Sequence, residues 1–130
     1  MRTLALLICA ICLLAACRKD GPKPEELALQ AAKVYYDQLL QGDYNAFVEG
    51  SLHGDSVAPS YKEQLLLNMK MYMERQQKEH QGIHSIEPMR AVADTAARTA
   101  DAFLAITYND STHEEILVPM VLKDGVWYLR

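Results

Sequence analysis

At Gly82 the chain changes its hydrophobic period, and that switch limits the fold more than any other feature of the 130 residues. Before it, apolar residues recur at helical spacing; after it, they alternate. A first helix is expected from Pro24, where proline suits the first turn and Glu25 and Glu26 complement the helix dipole. Leu27, Ala31, Tyr35, Gln38 and Leu39 share one face, while Leu29, Tyr36 and Leu40 cover much of the reverse. Such a helix is buried on two sides. Gly42 ends it, Asp43 caps a short helix over Tyr44–Glu49, and Gly50 closes that helix. After a loop over Ser51–Ala58, Ser60 and Glu63 fit a capping box opening the longest helix, Tyr61 to about His80. Its core stripe reads Tyr61, Leu65, Met69, Tyr72 and Met73, with Leu67 and Met71 nearly opposite.

Beyond Gly82, Ile83–Val92 predicts a strand bent at Pro88. In Thr99–Tyr108 the residues Ala100, Ala102, Leu104, Ile106 and Tyr108 point one way, and Asp101, Phe103, Ala105 and Thr107 the other. His113–Leu122 returns with Ile116, Val118, Met120 and Leu122 on one face, and Pro119 needs its nitrogen outside the ladder or at a bulge. Lys123-Asp124-Gly125 makes a hairpin turn into Val126–Arg130. Three helices followed by at least four antiparallel strands give an α+β domain with helices on one sheet face.

The N-terminus adds a location. Arg2 supplies a positive start, and Leu4–Leu14 is an apolar run of 11 residues. It is too short for a permanent span of about 20 residues but suits a cleaved signal. Leu14-Ala15-Ala16-Cys17 looks like a bacterial lipobox, so residues 1–16 read as a signal, Cys17 as the lipidated first residue, and 17–23 as a tether. A secretory signal cut after an Ala-x-Ala-like site, or an uncleaved N-terminal anchor, is the plainer alternative. Cleavage before Cys17 would leave 114 residues, with 12 Lys and Arg against 17 Asp and Glu, a formal charge of −5. Cys9 and Cys12 leave with the signal, so the domain at 24–130 keeps no thiol for a disulfide, nucleophile or metal. No long basic run supports nucleic-acid binding.

The order helix, Gly-Asp-Tyr, short helix, long helix and antiparallel strands ending in Lys-Asp-Gly-x-Trp is similar to a known group. It resembles small Bacteroidetes-type lipoproteins of unknown function in the nuclear-transport-factor-two-like superfamily, also called cystatin-like. Tyr36–Phe47 and Ile116–Tyr128 carry the resemblance. It implies a cone-shaped domain, a curved sheet wrapped around the first helix, with room for a pocket between them. Isomerases, dehydratases and binding modules share that fold, so it does not choose a function.

The residues weigh against chemistry. An isomerase-type site needs a carboxylate base with a phenol or protonated acid in an apolar pocket. Tyr35, Tyr36, Tyr61, Tyr72, Asp101 and His84 are the candidates, and none shows a catalytic spacing. Met69, Met71 and Met73 with His80 and His84 suggest a copper site, but Met71 lies about 200° around the helix from Met69. No metal, cofactor or catalytic residue is therefore expected, and the isolated His53 and His113 read as surface residues. Tyr35, Tyr36, Tyr61, Tyr72, Phe103 and Trp127 are the pocket candidates, with simple core packing as the plainer role. Leu67 and Met71 are candidates for a protein contact. The expected protein is lipid-anchored in the cell envelope, on the periplasmic side of the outer membrane, and binds a small apolar ligand or an envelope protein. A pocket enzyme of the isomerase or dehydratase type is the alternative, and the sheet could pair two copies.

Overall fold

The computed structural model describes residues 21–130; Cys17 and the signal at 1–16 lie outside the described residues. Helices α1 (Pro24–Leu40), α2 (Tyr44–Leu52) and α3 (Pro59–His80) precede strands β1 (Ile83–Asp94), β2 (Thr99–Tyr108), β3 (His113–Lys123) and β4 (Val126–Leu129). The strands pair in chain order as an open antiparallel meander, β1-β2-β3-β4. The α+β architecture expected from the period change is the one that forms.

Local chemistry explains the joints. Pro24 occupies the first turn of α1, and Gly42, at φ 85°, takes the left-handed conformation that breaks α1 from α2. The Asp43 carboxylate accepts the Ala46 N–H at 3.1 Å, capping α2. Gln81 and Gly82 end α3 with φ of 62° and 95°. Register shifts at Ile83/Ser85 and at Pro88/Arg90 bend β1. Pro119 costs the β2–β3 ladder nothing. Its carbonyl accepts the Arg130 N–H at 2.9 Å, and in an antiparallel strand the N of a residue faces the same neighbour as its C=O.

Three local expectations are corrected. The buried line of α1 is Ala28, Ala32 and Leu39, one position round from the expected stripe, and Leu27 is exposed. The small Ala28 and Ala32 let the helix axis approach the sheet, which a leucine at either position would prevent. Gly50 does not close α2, which continues to Leu52 and ends at His53 in the left-handed region. A Cβ on Gly50 would stand 2.3 Å from the Tyr35 ring, so close packing between α1 and α2 requires the glycine. Finally, α3 starts at Pro59 with Ala58 before it, and no side chain caps it. Ser60 therefore lies inside the helix rather than at its cap.

The core lies between α1 and one sheet face. Ala102, Leu104, Ile106 and Met120 are fully buried with Ala28 and Ala32, flanked by Ile86, Val118, Trp127 and Leu129. The alternation in β2 is regular, with every second residue from Ala100 to Tyr108 buried. Among the described residues no helix is long and apolar enough to cross a membrane.

Candidate functional site

The space between α1 and the sheet, where a cone would hold its ligand, is filled by those core side chains. A small apolar recess, partly open to solvent, lies elsewhere, among the three helices. Tyr36 and Leu39 of α1, Phe47 of α2, and Met69 and Tyr72 of α3 line a cavity of about 90 Å³. Tyr36 and Leu39 are three residues apart, as are Met69 and Tyr72, so each pair projects from one helix face. The Tyr36 and Phe47 rings meet edge-on, 5.3 Å apart at 88°.

The cavity wall disfavours charge. Burial, and then the neighbouring Tyr72, push the Tyr36 phenol up to about 12. Burial also raises Tyr72, followed by the Glu114 charge, against a smaller opposing effect of Arg75. Both phenols stay protonated donors at neutral pH. One helical turn beyond Tyr72, Gln76 is buried, and its Oε1 meets no donor among the described residues. Gln38 Oε1 on α1 is unpaired in the same way.

A second polar cluster clasps the end of α3 to the β2–β3 turn. His80 stacks on Tyr108 at 4.1 Å between ring centroids, and its Nδ1 lies 3.1 Å from Asp110 Oδ2. Asp110 N–H donates to the His80 carbonyl at 3.1 Å, and Asn109 N–H to that of Gly82 at 2.9 Å. The side-chain and backbone hydrogen bonds from Thr112 hold the Asp110 carboxyl below its usual range, helped by His80. The buried Tyr108 hydroxyl donates to Glu114 Oε2 at 2.6 Å. Burial raises the Tyr108 pKa, and the bond to Glu114 raises it further. Glu114 itself faces solvent.

The pocket candidates do not converge. Tyr36 and Tyr72 line the cavity. Tyr35 is a strut: its hydroxyl donates to the Trp127 carbonyl at 2.8 Å, and its ring covers Gly50. Trp127 is core, beneath α1. Phe103 is on the opposite sheet face, under the Arg90 guanidinium at 4.1 Å, with Arg90 paired to Glu115 at 3.0 Å. Tyr61 is 53% exposed at the start of α3. Leu67 and Met71, 49% and 50% exposed, stand together one turn apart on the outer side of α3. Met71 thus points away from Met69, which lines the cavity. His53 is not an isolated surface residue: it is half-buried, its Nε2 meets the Leu129 carbonyl, and its own carbonyl accepts Lys123 Nζ at 3.1 Å.

Leu39, Phe47, Met69 and Gln76 enter the site without having been singled out for it. Their signal was present in the paired spacings Tyr36/Leu39 and Met69/Tyr72, but helix-to-helix register is not written in either segment alone.

No protein-family model matches this chain, and no curated protein matches it. Among solved structures it is similar to a Campylobacter jejuni protein that carries the name NTF2-like transpeptidase. The two share 13% identity over 75% of this chain and 92% of that one, with a TM-score of 0.59. The activity in that name belongs to that protein; at this identity the likeness establishes the architecture alone. The fold of this chain, three helices on an open antiparallel sheet, is NTF2-like.

Proposed function

We propose that this chain is a lipid-anchored protein of the bacterial cell envelope, of the Bacteroidetes type, whose domain at 24–130 acts by non-covalent contact rather than catalysis. The anchoring half of the reading rests on Leu14-Ala15-Ala16-Cys17. Residues 1–16 form the signal, and 17–23 tether the domain to the periplasmic face of the outer membrane. Two acyl chains on Cys17 suffice for stable attachment.

The contact half rests on one observation: the space between α1 and the sheet, where a cone would hold a ligand, is packed with Ala102, Leu104, Ile106 and Met120. Recognition therefore falls to surfaces. On α3, Leu67 and Met71 present half of their area to solvent, and on the uncovered sheet face Val92 and Leu117 do so around Phe103. The first pair suits an envelope protein, the second a further copy of this chain. Cys17→Ala is expected to release the protein from membranes; crosslinking in intact cells is expected to capture an envelope partner that Leu67→Glu with Met71→Glu loses. Retention of Cys17→Ala on membranes would refute the anchor, and an unchanged crosslinking pattern would refute the α3 contact.

The Tyr108–Glu114 pair favours a second reading, a pocket enzyme of the isomerase or dehydratase type. Its phenol is buried, but its carboxylate is open to solvent and the pair's proton stays on the phenol. A base would need Glu114 to act on a substrate held outside the cavity.

A further inference from the structure

We propose that the outer edge of β3, from His113 to Val118, docks an extended basic protein segment that joins the sheet as a further strand. The inference rests on the reading of the domain as one that acts by non-covalent contact, and it names a kind of partner.

The sheet ends unevenly. Strand β3 has 11 residues and β4 has 4, and β4 pairs with Met120–Lys123 alone. One further bond, from Arg130 N–H to the Pro119 carbonyl, closes that ladder. Parity identifies the groups left over. Leu122 N–H turns toward β2 and donates to the Arg98 carbonyl at 2.8 Å, whereas the Pro119 carbonyl turns toward β4. In an antiparallel strand the N–H and C=O of one residue face the same neighbour, and successive residues alternate. His113, Glu115 and Leu117 therefore present both groups to the outer edge, where no strand among the described residues pairs with them.

The opposite edge of the sheet is guarded and this one is not. Register shifts at Ile83/Ser85 and Pro88/Arg90 break β1, and such bulges keep an edge from accepting a strand. From Thr107/His113 to Ala102/Val118 the β2–β3 register runs without a shift, so β3 is a regular template.

Charge selects the occupant. Glu114, Glu115 and Leu117 are exposed along the free edge. Two copies of this edge laid antiparallel would set Glu114 and Glu115 of each against those of the other, and like charges oppose that pairing. A segment with Lys or Arg opposite the two carboxylates and apolar residues opposite Ile116 and Leu117 is complementary on both faces. The carboxylates are already positioned: Glu114 accepts the Tyr108 hydroxyl at 2.6 Å, and Glu115 holds Arg90 at 3.0 Å. Main-chain bonds then supply affinity, and the alternating side chains supply choice.

The test is an NMR titration of the folded domain with acetyl-Val-Leu-Val-Lys-Lys-Thr-amide, whose residues run antiparallel from Val118 back to His113. In the free domain the Glu115 and Leu117 amides are expected to exchange fast, and those of Ile116 and Val118, which face β2, slowly. Saturating peptide is expected to abolish the fast exchange at Glu115 and Leu117 and leave Ile116 and Val118 unchanged. Methylating the leucine nitrogen of the peptide removes one ladder bond without touching the protein, and is expected to weaken binding by about threefold to tenfold. Replacing both peptide lysines by glutamate is expected to abolish binding. Slow exchange at Glu115 and Leu117 in the free domain would overturn the proposal, because a second copy or another segment of this chain would already cover the edge. Absent protection at saturation, undiminished binding of the methylated peptide, or equal binding of the glutamate peptide would overturn it too. The Cys17 fractionation and the Leu67 and Met71 crosslinks test the wider reading separately, so the two can fail independently.

Discussion

Along α1, Ala28 and Ala32 lose all contact with solvent against the sheet, whereas the 22 residues of α3 include one buried residue, Gln76. The first interface is dense, apolar and closed. The second is a strip of half-buried Leu65, Met69, Tyr72 and Met73, finished by the His80–Asp110–Tyr108 clasp. The contrast separates two tasks. Burial against the sheet supplies the stability of the domain, since the hydrophobic contribution follows apolar area removed from water. Helix α3, held by less area, is the element that can shift at modest cost.

Mutations can break that contrast at its strong end first. Leu104→Ala removes a fully buried side chain at the centre of β2 and is expected to cost about 3–4 kcal/mol in chemical denaturation. Gly50→Ala is expected to cost about 2–3 kcal/mol, because the new Cβ displaces the Tyr35 ring and breaks its bond to Trp127. A loss below about 1 kcal/mol would mean that α1 and α2 are less closely packed than described.

Alkaline pH probes the helix cavity. Tyr36 has a folded pKa raised from 10.0 to about 12, so its neutral form is favoured by folding. The resulting stability is complete below pH 10.0, declines as pH rises toward about 12, and amounts to something on the order of 2 kcal/mol. Denaturation midpoints should fall over that window, and less steeply in Tyr36→Phe. Unchanged steepness would show that another group titrates there.

The weak end should respond locally. His80→Ala is expected to lower global stability by less than about 1 kcal/mol while speeding amide exchange in the last turns of α3. A cooperative loss of the whole domain would place the clasp in the main core. Leu67→Gln with Met71→Gln is expected to change stability by no more than about 0.5 kcal/mol, because both side chains are half exposed.

The sequence carried the architecture because each element announces itself locally. The helical and alternating periods, Asp43 at a cap, and glycines at positions 42, 82 and 125 are readable without knowing what each segment touches. What was missed depends on distant partners. Alanine and leucine both score as apolar, so period alone could not decide whether Leu27 or Ala28 faces the sheet. Gly50 reads as a helix end until the Tyr35 ring, on another helix, is placed beside it. Two of six pocket candidates, Tyr36 and Tyr72, reach the cavity, because aromatic residue type reports burial without saying against what. Parity did place Phe103 with Asp101 on the face away from Leu104 and Ile106, and that is where it lies.

Native-state hydrogen exchange measures the division directly. The account predicts that amides of α1 and of Leu104 and Ile106 in β2 open only with global unfolding, while those from Met69 to Gln77 in α3 open at lower free energy and independently of it. Exchange of the α3 amides at the same free energy as β2, with the same denaturant dependence, would contradict it.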